Sequence, residues 1–429
     1  MNRCLRSICW LGCLALLVAG CDFQTPQFHL NMVQMLSDAT PTPEPYQEQI
    51  ADVLGGMFGT PDEPFVLPET GLDMRRLKMA AGPAWTDDKG AAFGLYRLHC
   101  SHCHGIDGDG QGPTALFLNP YPRDYRQGVY KFKSTYNPAK PTDEDLHRVL
   151  VNGIPGSAMP SFSLLASAEI EALVEYVKYL SMRGQMETAL TNYVYNDLGE
   201  EEVTDENGDP VLDEEGEPKM KLIPLDPEND EEQRAAITEI LAEIVEGWNE
   251  VNEQIIVPEE GAIPTDIHDK EAFAASAAKG RELFYGARAN CMKCHGPTGL
   301  GDGQQDDYDI WNKAHLQFLD SVADDSGDPQ FAREREEVAA SLFPVRNAIP
   351  RNLRLGVFRG GNRRIDLFWR IYAGIAGTPM PGSGPASPGA QGTLTEEEMW
   401  NIVDYVLSLP YEAASQPQKA LPINTELVN

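Results

Sequence analysis

The sequence predicts a mainly α-helical protein in which one three-helix plan occurs twice. Three observations point to this fold class. A short motif, C-x-x-C-H, occurs at residues 100–104 and again at 291–295. Each copy is followed by a Met-Pro pair that comes after a glycine-rich turn. Apolar residues recur at helical spacing in the segments around these motifs. The copies lie about 190 residues apart, which favours one compact unit around each.

The repeated motif is the attachment signature of c-type haem. Two cysteines three residues apart project from the same side of a helical turn, so both thiols can add to the vinyl groups of one porphyrin. The histidine that follows then reaches the iron from the proximal side. We therefore predict two covalently bound haem c groups. The residues that attach them are Cys100, Cys103 and His104 in the first copy and Cys291, Cys294 and His295 in the second.

The first twenty residues have the features of a secretory signal peptide. A basic start with Arg3 and Arg6 precedes an apolar run that is too short for a convincing membrane span. The run ends in Leu-Val-Ala-Gly-Cys at 17–21, which resembles the lipobox of bacterial lipoproteins. By that resemblance Cys21 is the first mature residue and carries the lipid. An ordinary signal peptide and an uncleaved anchor are the alternatives.

The use of cysteine agrees with an oxidising compartment. Of the eight cysteines, three lie in the signal segment, one is Cys21 and four lie in the haem motifs. None is left for a disulfide, and spare thiols would compete with attachment to the porphyrin. Two or more acyl chains hold a protein stably at a membrane. We therefore predict a lipoprotein that is anchored to the membrane and faces the periplasm or another extracytoplasmic side.

The chain is strongly acidic, with a formal net charge of −32 at neutral pH. This charge excludes nucleic acid as a partner and leaves the lipid as the main attraction to an anionic membrane surface. Two interpretations of the acidity remain open. One is a basic docking partner, and the other is general solubility of an acidic surface.

The chain before the first motif is predicted to be a tether and an arm, residues 21–85. The proline-rich segment 41–45 should be extended, and 46–58 should form a short helix. The first haem domain is predicted at 86–184. Its expected helices are 89–99, a second that begins at Thr142, and 167–182, which Gly184 ends.

The second haem domain is predicted at 266–412, followed by a tail at 413–429. Its expected helices are 271–289, 365–373 and 395–409, in the same order as in the first domain. This order indicates an internal duplication, with the haem filling the centre of each three-helix unit.

An acidic insert, residues 185–265, separates the two domains. Between 197 and 260 there are 23 Asp or Glu residues and only three basic ones. Two similar eight-residue segments, 203–210 and 211–218, predict successive turns. A solvated loop is favoured over a calcium site, because the spacing does not match an EF-hand loop. Residues 231–254 should form a helix, which we expect to pack between the domains.

The sixth iron ligand decides between electron transfer and catalysis. Met159 and Met380 occupy equivalent Met-Pro loops, at 153–160 and 374–381, and a thioether on a loop held by Pro and Gly can face the iron. We predict both as ligands. Other histidines and methionines remain as alternatives: His147 and His315 for bis-histidine coordination, and Met182, Met186 and Met399 as competing thioethers.

Both halves resemble class I cytochrome c domains, and together the resembling parts cover somewhat over half of the chain. In the first half the resemblance rests on the haem motif and on Gly90, Tyr96, Gly105, Gly110, Met159, Pro160 and 176–180. In the second it rests on the haem motif and on Gly280, Phe284, Gly296, Gly301, Gly303, Met380, Pro381 and 400–409. The resemblance implies a helical fold that wraps one haem per domain. It also implies that Arg123 or Arg351 pairs with a haem propionate, with a surface arginine as the alternative.

Two methionine ligands would leave no open iron position, so we predict a one-electron carrier rather than an enzyme. Its partners would be redox proteins, and the layout is similar to lipoprotein cytochrome subunits of respiratory membrane complexes. The rival hypothesis is a dihaem enzyme, a peroxidase or a sulfur-compound oxidoreductase, with one iron open to substrate. The loop before Met380 is about thirty residues longer than its counterpart, and its extra segment, 304–341, should cover the haem edge or bind a partner.

Overall fold

The computed structural model describes residues 25–37, 41–213, 216–259, 266–323 and 329–415. The signal segment, Cys21 and most of the tail lie outside these residues. Within them the protein is mainly helical, as predicted, and its strands form two short antiparallel pairs. No described helix is both long enough and apolar enough to span a bilayer.

The helices of the arm, the first domain and the acidic insert are numbered α1 to α8. They are α1 Met32–Met35, α2 Glu44–Phe58, α3 Met74–Ala80, α4 Leu95–His99, α5 Ser101–His104, α6 Asp143–Asn152, α7 Ser167–Tyr193 and α8 Glu231–Asn249. The strand pairs are β1 Trp85–Thr86 with β2 Ala92–Phe93, and β3 Glu200–Glu202 with β4 Met220–Leu222. Short 3-10 turns occur at Pro68–Thr70, Ala115–Phe117 and Glu250–Gln254, and a π turn at Val194–Leu198.

The second domain contributes α9 to α14. They are α9 Lys270–Tyr285, α10 Met292–His295, α11 Ile310–Ala323, α12 Pro329–Ser341, α13 Arg364–Tyr372 and α14 Glu396–Ser408. Further 3-10 turns lie at Leu353–Leu355, Leu409–Tyr411 and Ala413–Ser415. The helices predicted from Thr142 and at 365–373 and 395–409 are confirmed. Thr142 and Thr395 cap α6 and α14 by accepting hydrogen bonds from backbone N–H groups three residues on.

The helix predicted at 89–99 is wrong in its first half. Residues 85–93 form the β1–β2 hairpin, and Asp87 accepts hydrogen bonds from the N–H groups of Lys89 and Ala91 at its turn. Gly94 then has a φ of 69° and lies against the carbonyl of Pro83, so no right-handed helix passes through it. The helix therefore begins only at Leu95.

The last helix of the first domain does not end at Gly184, as predicted, but continues to Tyr193. Gly184 has a packing role: a Cβ at this position would collide with the backbone of Arg126. The glycine therefore allows the segment that follows the first haem motif to cross α7 closely. Its helix propensity is poor, but burial on both sides of α7 outweighs that cost.

The arm packs on the first domain, because α2 and α3 share one apolar cluster with α7. The hydroxyl of Tyr179 donates to the carbonyl of Phe58 at 2.6 Å, and the N–H of Asp73 donates to Glu175 at 2.7 Å. Helix α8 joins the same cluster through Ile237, Leu241, Val245 and Trp248. The prediction that α8 packs between the domains is therefore wrong, since its apolar face covers the first domain.

The eight-residue repeat forms two hairpin turns above the β3–β4 pair. Thr204 pairs with Pro210, and Leu212 pairs with Pro218, so each repeat closes one turn. Equivalent residues stack: the N–H of Val211 donates to Val203, and that of Lys219 donates to Val211, each at 2.7 Å. Successive turns were predicted, and the structure places them in an exposed part of the acidic insert.

In the second domain α9 crosses α14 at Gly280, where a Cβ would collide with the backbone of Asn401. The second apolar cluster lies around this crossing and includes Phe284, Phe368 and Trp400. The extra segment 304–341 forms α11 and α12, which reach across to the first domain and its arm. Arg335 donates to the carbonyl of Leu36 in the arm at 2.9 Å, and Asp309 pairs with Lys131 of the first domain at 3.0 Å.

Candidate functional site

Each motif histidine is held by the same contact. Nδ1 of His104 lies 3.1 Å from the carbonyl oxygen of Arg123, and Nδ1 of His295 lies 3.3 Å from that of Arg351. A carbonyl oxygen only accepts, so Nδ1 carries the proton and Nε2 keeps its lone pair. The local fold therefore fixes the tautomer in which Nε2 can bind a metal.

Burial keeps both imidazoles neutral. It lowers the pKa of His104 to about 4 and also lowers the pKa of His295. In each case the hydrogen bond to the arginine carbonyl opposes this shift without cancelling it. Neutral imidazole is the form that coordinates iron, so no proton has to be removed at neutral pH.

A glycine after each motif brings the arginine loop next to its histidine. The N–H groups of Gly110 and Gly301 donate to the carbonyls of His104 and His295 at 2.9 Å. Both glycines have φ near 80°, and a Cβ on either would collide with the carbonyl of the proline that precedes the arginine. These positions require glycine, because a side chain would push away the carbonyl that orients the histidine.

The two methionine loops have the same internal hydrogen bonds. In the first, Ile154 donates to the carbonyl of Met159 at 3.1 Å, and the Ser157 hydroxyl donates to Ile154 at 2.7 Å. In the second, Ile375 donates to Met380 at 3.1 Å, and the Thr378 hydroxyl donates to Ile375 at 2.8 Å. Each loop is thus a closed turn that holds its methionine in one place.

The motif cysteines lie in tight turns that start each short helix. The N–H of His104 donates to Cys100 at 2.9 Å, and that of His295 donates to Cys291 at 3.0 Å. All four described cysteines are free thiols. Burial raises the pKa of Cys100 to about 12 and that of Cys291 to about 11. Both thiols are therefore protonated at neutral pH.

A cavity of about 1040 Å³ surrounds the second motif. Cys291, Cys294, His295 and Met380 all line it, so the structure brings together the residues predicted to bind the second haem. The cavity extends to the first domain, where the loop at 119–124 forms part of its wall. In the first domain His104 is buried, and its ring stacks on that of Tyr125 at 4.7 Å.

Three buried N–H groups on the wall of this cavity have no hydrogen-bond acceptor among the described residues. They are Nε of Arg351, Nε of Arg359 and Nε1 of Trp311. Burial and the neighbouring Arg351 lower the pKa of Arg359 to about 10, so it stays charged at neutral pH. Unpaired donors and cations in a cavity suit a ligand that carries carboxylates. The two propionates of haem fit this requirement.

The alternative ligands occupy different surroundings. His315 lines the cavity, whereas His147 is half-buried on α6. Met182 and Met186 lie in the first apolar cluster and Met399 lies in the second, so these three are core side chains. The arginine loops were singled out from the sequence for their side chains, and the role of their carbonyls was missed. The repeated Pro-Arg pair was the available signal.

Comparisons with known proteins identify a family. The cytochrome c family model matches residues 89–181 and 277–410, which together are more than half of the chain. Among solved structures, the reducing HAO-like protein complex Kustc0457/Kustc0458 of Kuenenia stuttgartiensis matches at 21% identity. That match covers 74% of this chain and 94% of the other, with a TM-score of 0.42. No curated protein matches the chain.

Proposed function

This chain belongs to the cytochrome c family, and from that premise we propose that it carries electrons with two haem c groups, one in each domain. Bound haem c supplies an iron that accepts and releases one electron. The single observation that carries the proposal is the repetition of both ligand loops. His104 and His295 make the same contact to an arginine carbonyl, and Met159 and Met380 end the same closed turn.

The proposed roles of the chain are to attach, orient and enclose the haem. Cys100 and Cys103 would form thioethers in the first domain, as would Cys291 and Cys294 in the second. The arginine carbonyls hold Nδ1 of each histidine, so Nε2 would be the atom that binds the iron. Met159 and Met380 would complete the coordination, which leaves no position for a substrate.

The cations of the cavity would hold the propionates of the second haem. Nε of Arg351, Nε of Arg359 and the indole N–H of Trp311 are the free donors. A charged donor paired with a carboxylate makes a short and strong hydrogen bond, and a planar guanidinium also fixes the direction of that carboxylate. Both arginines are half-buried, and the propionates would neutralise their charges.

We also propose where the protein works and with what it reacts. Export and lipid attachment at Cys21 would place it on the extracytoplasmic face of a membrane, as the features of residues 1–21 support. Its partners would be redox proteins, either separate or joined with it in a respiratory membrane complex. Replacing Cys21 with Ser should release the protein from the membrane fraction. If the variant stays there while exported normally, the lipid anchor is refuted.

Counting haems tests the proposal of one haem per domain. A pyridine haemochrome assay on the exported chain should give two haems per polypeptide. The variant with Cys291→Ala and Cys294→Ala should give one, and so should its counterpart with Cys100→Ala and Cys103→Ala. One haem in the unaltered chain would contradict the proposal. Rapid binding of cyanide or peroxide to one iron would favour the rival hypothesis of an enzyme.

A further inference from the structure

The two domains face each other through equivalent residues. When the two domains are aligned on Arg123 and Arg351, Phe132 is equivalent to Gly360. When they are aligned on the Met-Pro loops, Arg148 is equivalent to Trp369. Both pairs meet in the structure: Phe132 lies against Gly360, and the Arg148 guanidinium lies 5.3 Å from the ring centre of Trp369. Equivalent residues contact each other where two copies are related by a local twofold axis.

On one side of this axis a cation contacts the opposite methionine loop directly. A Cβ added at Gly156, in the loop of Met159, would lie 2.6 Å from Nη2 of Arg351. Arg359 donates to the carbonyl of Gly156 at 3.3 Å. The loop that presents Met159 is therefore held from outside by two arginines of the second domain.

On the other side the equivalent contact is interrupted by one residue of the extra segment. The equivalents of Arg351 and Gly156 are Arg123 and Gly377, and the ring of Trp311 lies between them. Arg123 stacks on this ring, with its guanidinium carbon 3.4 Å from the ring centre. A Cβ added at Gly377 would lie 2.6 Å from Cη2 of Trp311. The N–H of Ile310 donates to the carbonyl of Gly377 at 2.9 Å.

Trp311 is fixed in this place by its neighbours. Asp309 pairs with Lys131 of the first domain at 3.0 Å and accepts from the side chain of Asn312 at 2.8 Å. Asn312 in turn accepts from the N–H of Arg346 at 2.8 Å. The start of α11 thus has contacts with both domains, and these contacts hold the indole ring between Arg123 and Gly377.

We propose that Trp311 is a positioning residue that couples the second haem site to the first domain, because its ring joins Arg123 to the loop that presents Met380. The inference rests on the proposed function. The carbonyl of Arg123 orients His104, so one residue is linked to the proximal side of the first site and, through Trp311, to the distal side of the second. Met380 would then resist displacement from the iron only while the two domains are in contact. The binding of Met159 would not depend on Trp311.

Displacement of the methionine ligands by added imidazole tests this coupling in the haem-loaded chain. The readout is the charge-transfer absorption band that a methionine sulfur gives with ferric haem. In a Met159→Ala background the band comes from Met380 alone. There, Trp311→Ala should lower the imidazole concentration for half-displacement about tenfold, the size expected for loss of a buried cation–π contact and its packing. Trp311→Phe keeps a ring but, like Trp311→Ala, lacks the indole N–H, and it should show about half of this shift on a logarithmic scale. A shift as large as that of Trp311→Ala would assign the effect to the lost N–H instead of the ring contact.

Two controls separate the coupling from general damage. In a Met380→Ala background, where only Met159 reports, Trp311→Ala should leave displacement unchanged. Trp85→Ala, which removes an exposed tryptophan stacked on Phe93, should change neither ligand. An equal shift of both methionines, or no shift of Met380, would overturn the coupling alone. If the unaltered chain has no methionine band, the proposed function and this inference both fail.

Discussion

The first haem domain is supported by chain that lies outside it, whereas the second is built mainly from its own helices. Around α7 the first apolar cluster combines the arm helices α2 and α3 with α8 of the acidic insert. Around α14 the second cluster draws on α9 and α13. Even so, both domains hold a histidine and a methionine with the same hydrogen bonds. The ligand loops therefore need only local constraints, and the surrounding support is free to differ.

The two sites differ in the residues that contact the histidine and the methionine loop. The residue that packs on the first histidine is Tyr125, and its equivalent in the second domain is Leu353. The first methionine loop touches arginines, and the second touches Trp311. The two domains therefore carry the same candidate ligands, and the unequal additions to each copy give those residues different surroundings.

The largest expected loss of stability comes from removing a buried tryptophan from either apolar cluster. Trp248, from outside the first domain, donates to Gln185 at 3.1 Å, and Trp400, inside the second, stacks on Phe368 at 4.3 Å. Either substitution by Ala should lower the free energy of unfolding by about 3–5 kcal/mol. Hydrogen exchange followed by mass spectrometry should place the loss in the first domain for Trp248→Ala and in the second for Trp400→Ala. Loss in the second domain on Trp248→Ala would contradict the assignment of α8.

The next largest loss of stability is expected at the two glycines where another segment crosses a helix closely. Gly184→Ala and Gly280→Ala each add a methyl group that collides with backbone, of Arg126 and Asn401 respectively. Each should destabilise its own domain by about 1–3 kcal/mol, measured by denaturant unfolding.

Gly247→Ala is the matched control for these two variants. Gly247 also lies inside a helix, α8, but no atom stands within 4 Å of where its Cβ would be. In this variant the free energy of unfolding should rise by up to about 1 kcal/mol, because alanine favours the helix. If all three variants behaved alike, the close crossings would not be the reason for glycine at 184 and 280.

The last expected effect is a rise of stability with pH, which the buried lysines of the first domain should cause. Burial lowers the pKa of Lys133 to about 7, and the equivalent position in the second domain is Gly361. The unfolded lysine titrates near 10.4, so between pH 7 and 10 the unfolded state binds more protons and stability rises with pH. The slope from this group is at most about 1.4 kcal/mol per pH unit.

Replacing Lys133 tests this slope. Lys133→Met should reduce the slope when the free energy of unfolding of the first domain is measured by denaturant titration from pH 7 to 10. Burial also lowers the pKa of Lys131 and of Lys140 to about 8, so these two lysines should keep the remainder. The second domain, followed in the same samples, is the control. A slope that the substitution leaves unchanged would assign the pH dependence to other groups.

The sequence allowed the helical plan and the candidate ligands to be predicted, because each rests on residues close together in the chain. The Met-Pro loops and the threonine caps are local patterns of this kind. The hairpin at 85–93 and the extension of α7 through Gly184 were missed, because tertiary contacts of Gly94 and Gly184 decide them. The extra segment 304–341 was predicted to cover the haem edge or bind a partner. The place of Trp311 between the domains was not predicted, since the segment has no counterpart in the first half. Cys21 and the membrane anchor remain predictions.

In the proposed protein, two equivalent methionine loops complete the coordination of two irons. The methionine–iron absorption band of the oxidised chain tests this directly when it is compared with that of Met159→Ala and Met380→Ala, each normalised to its haem content. Each single variant should keep about half of the band, and the double variant should lose it. A band already at half intensity in the unaltered chain, or one that either single variant abolishes, would show that only one iron has a methionine ligand.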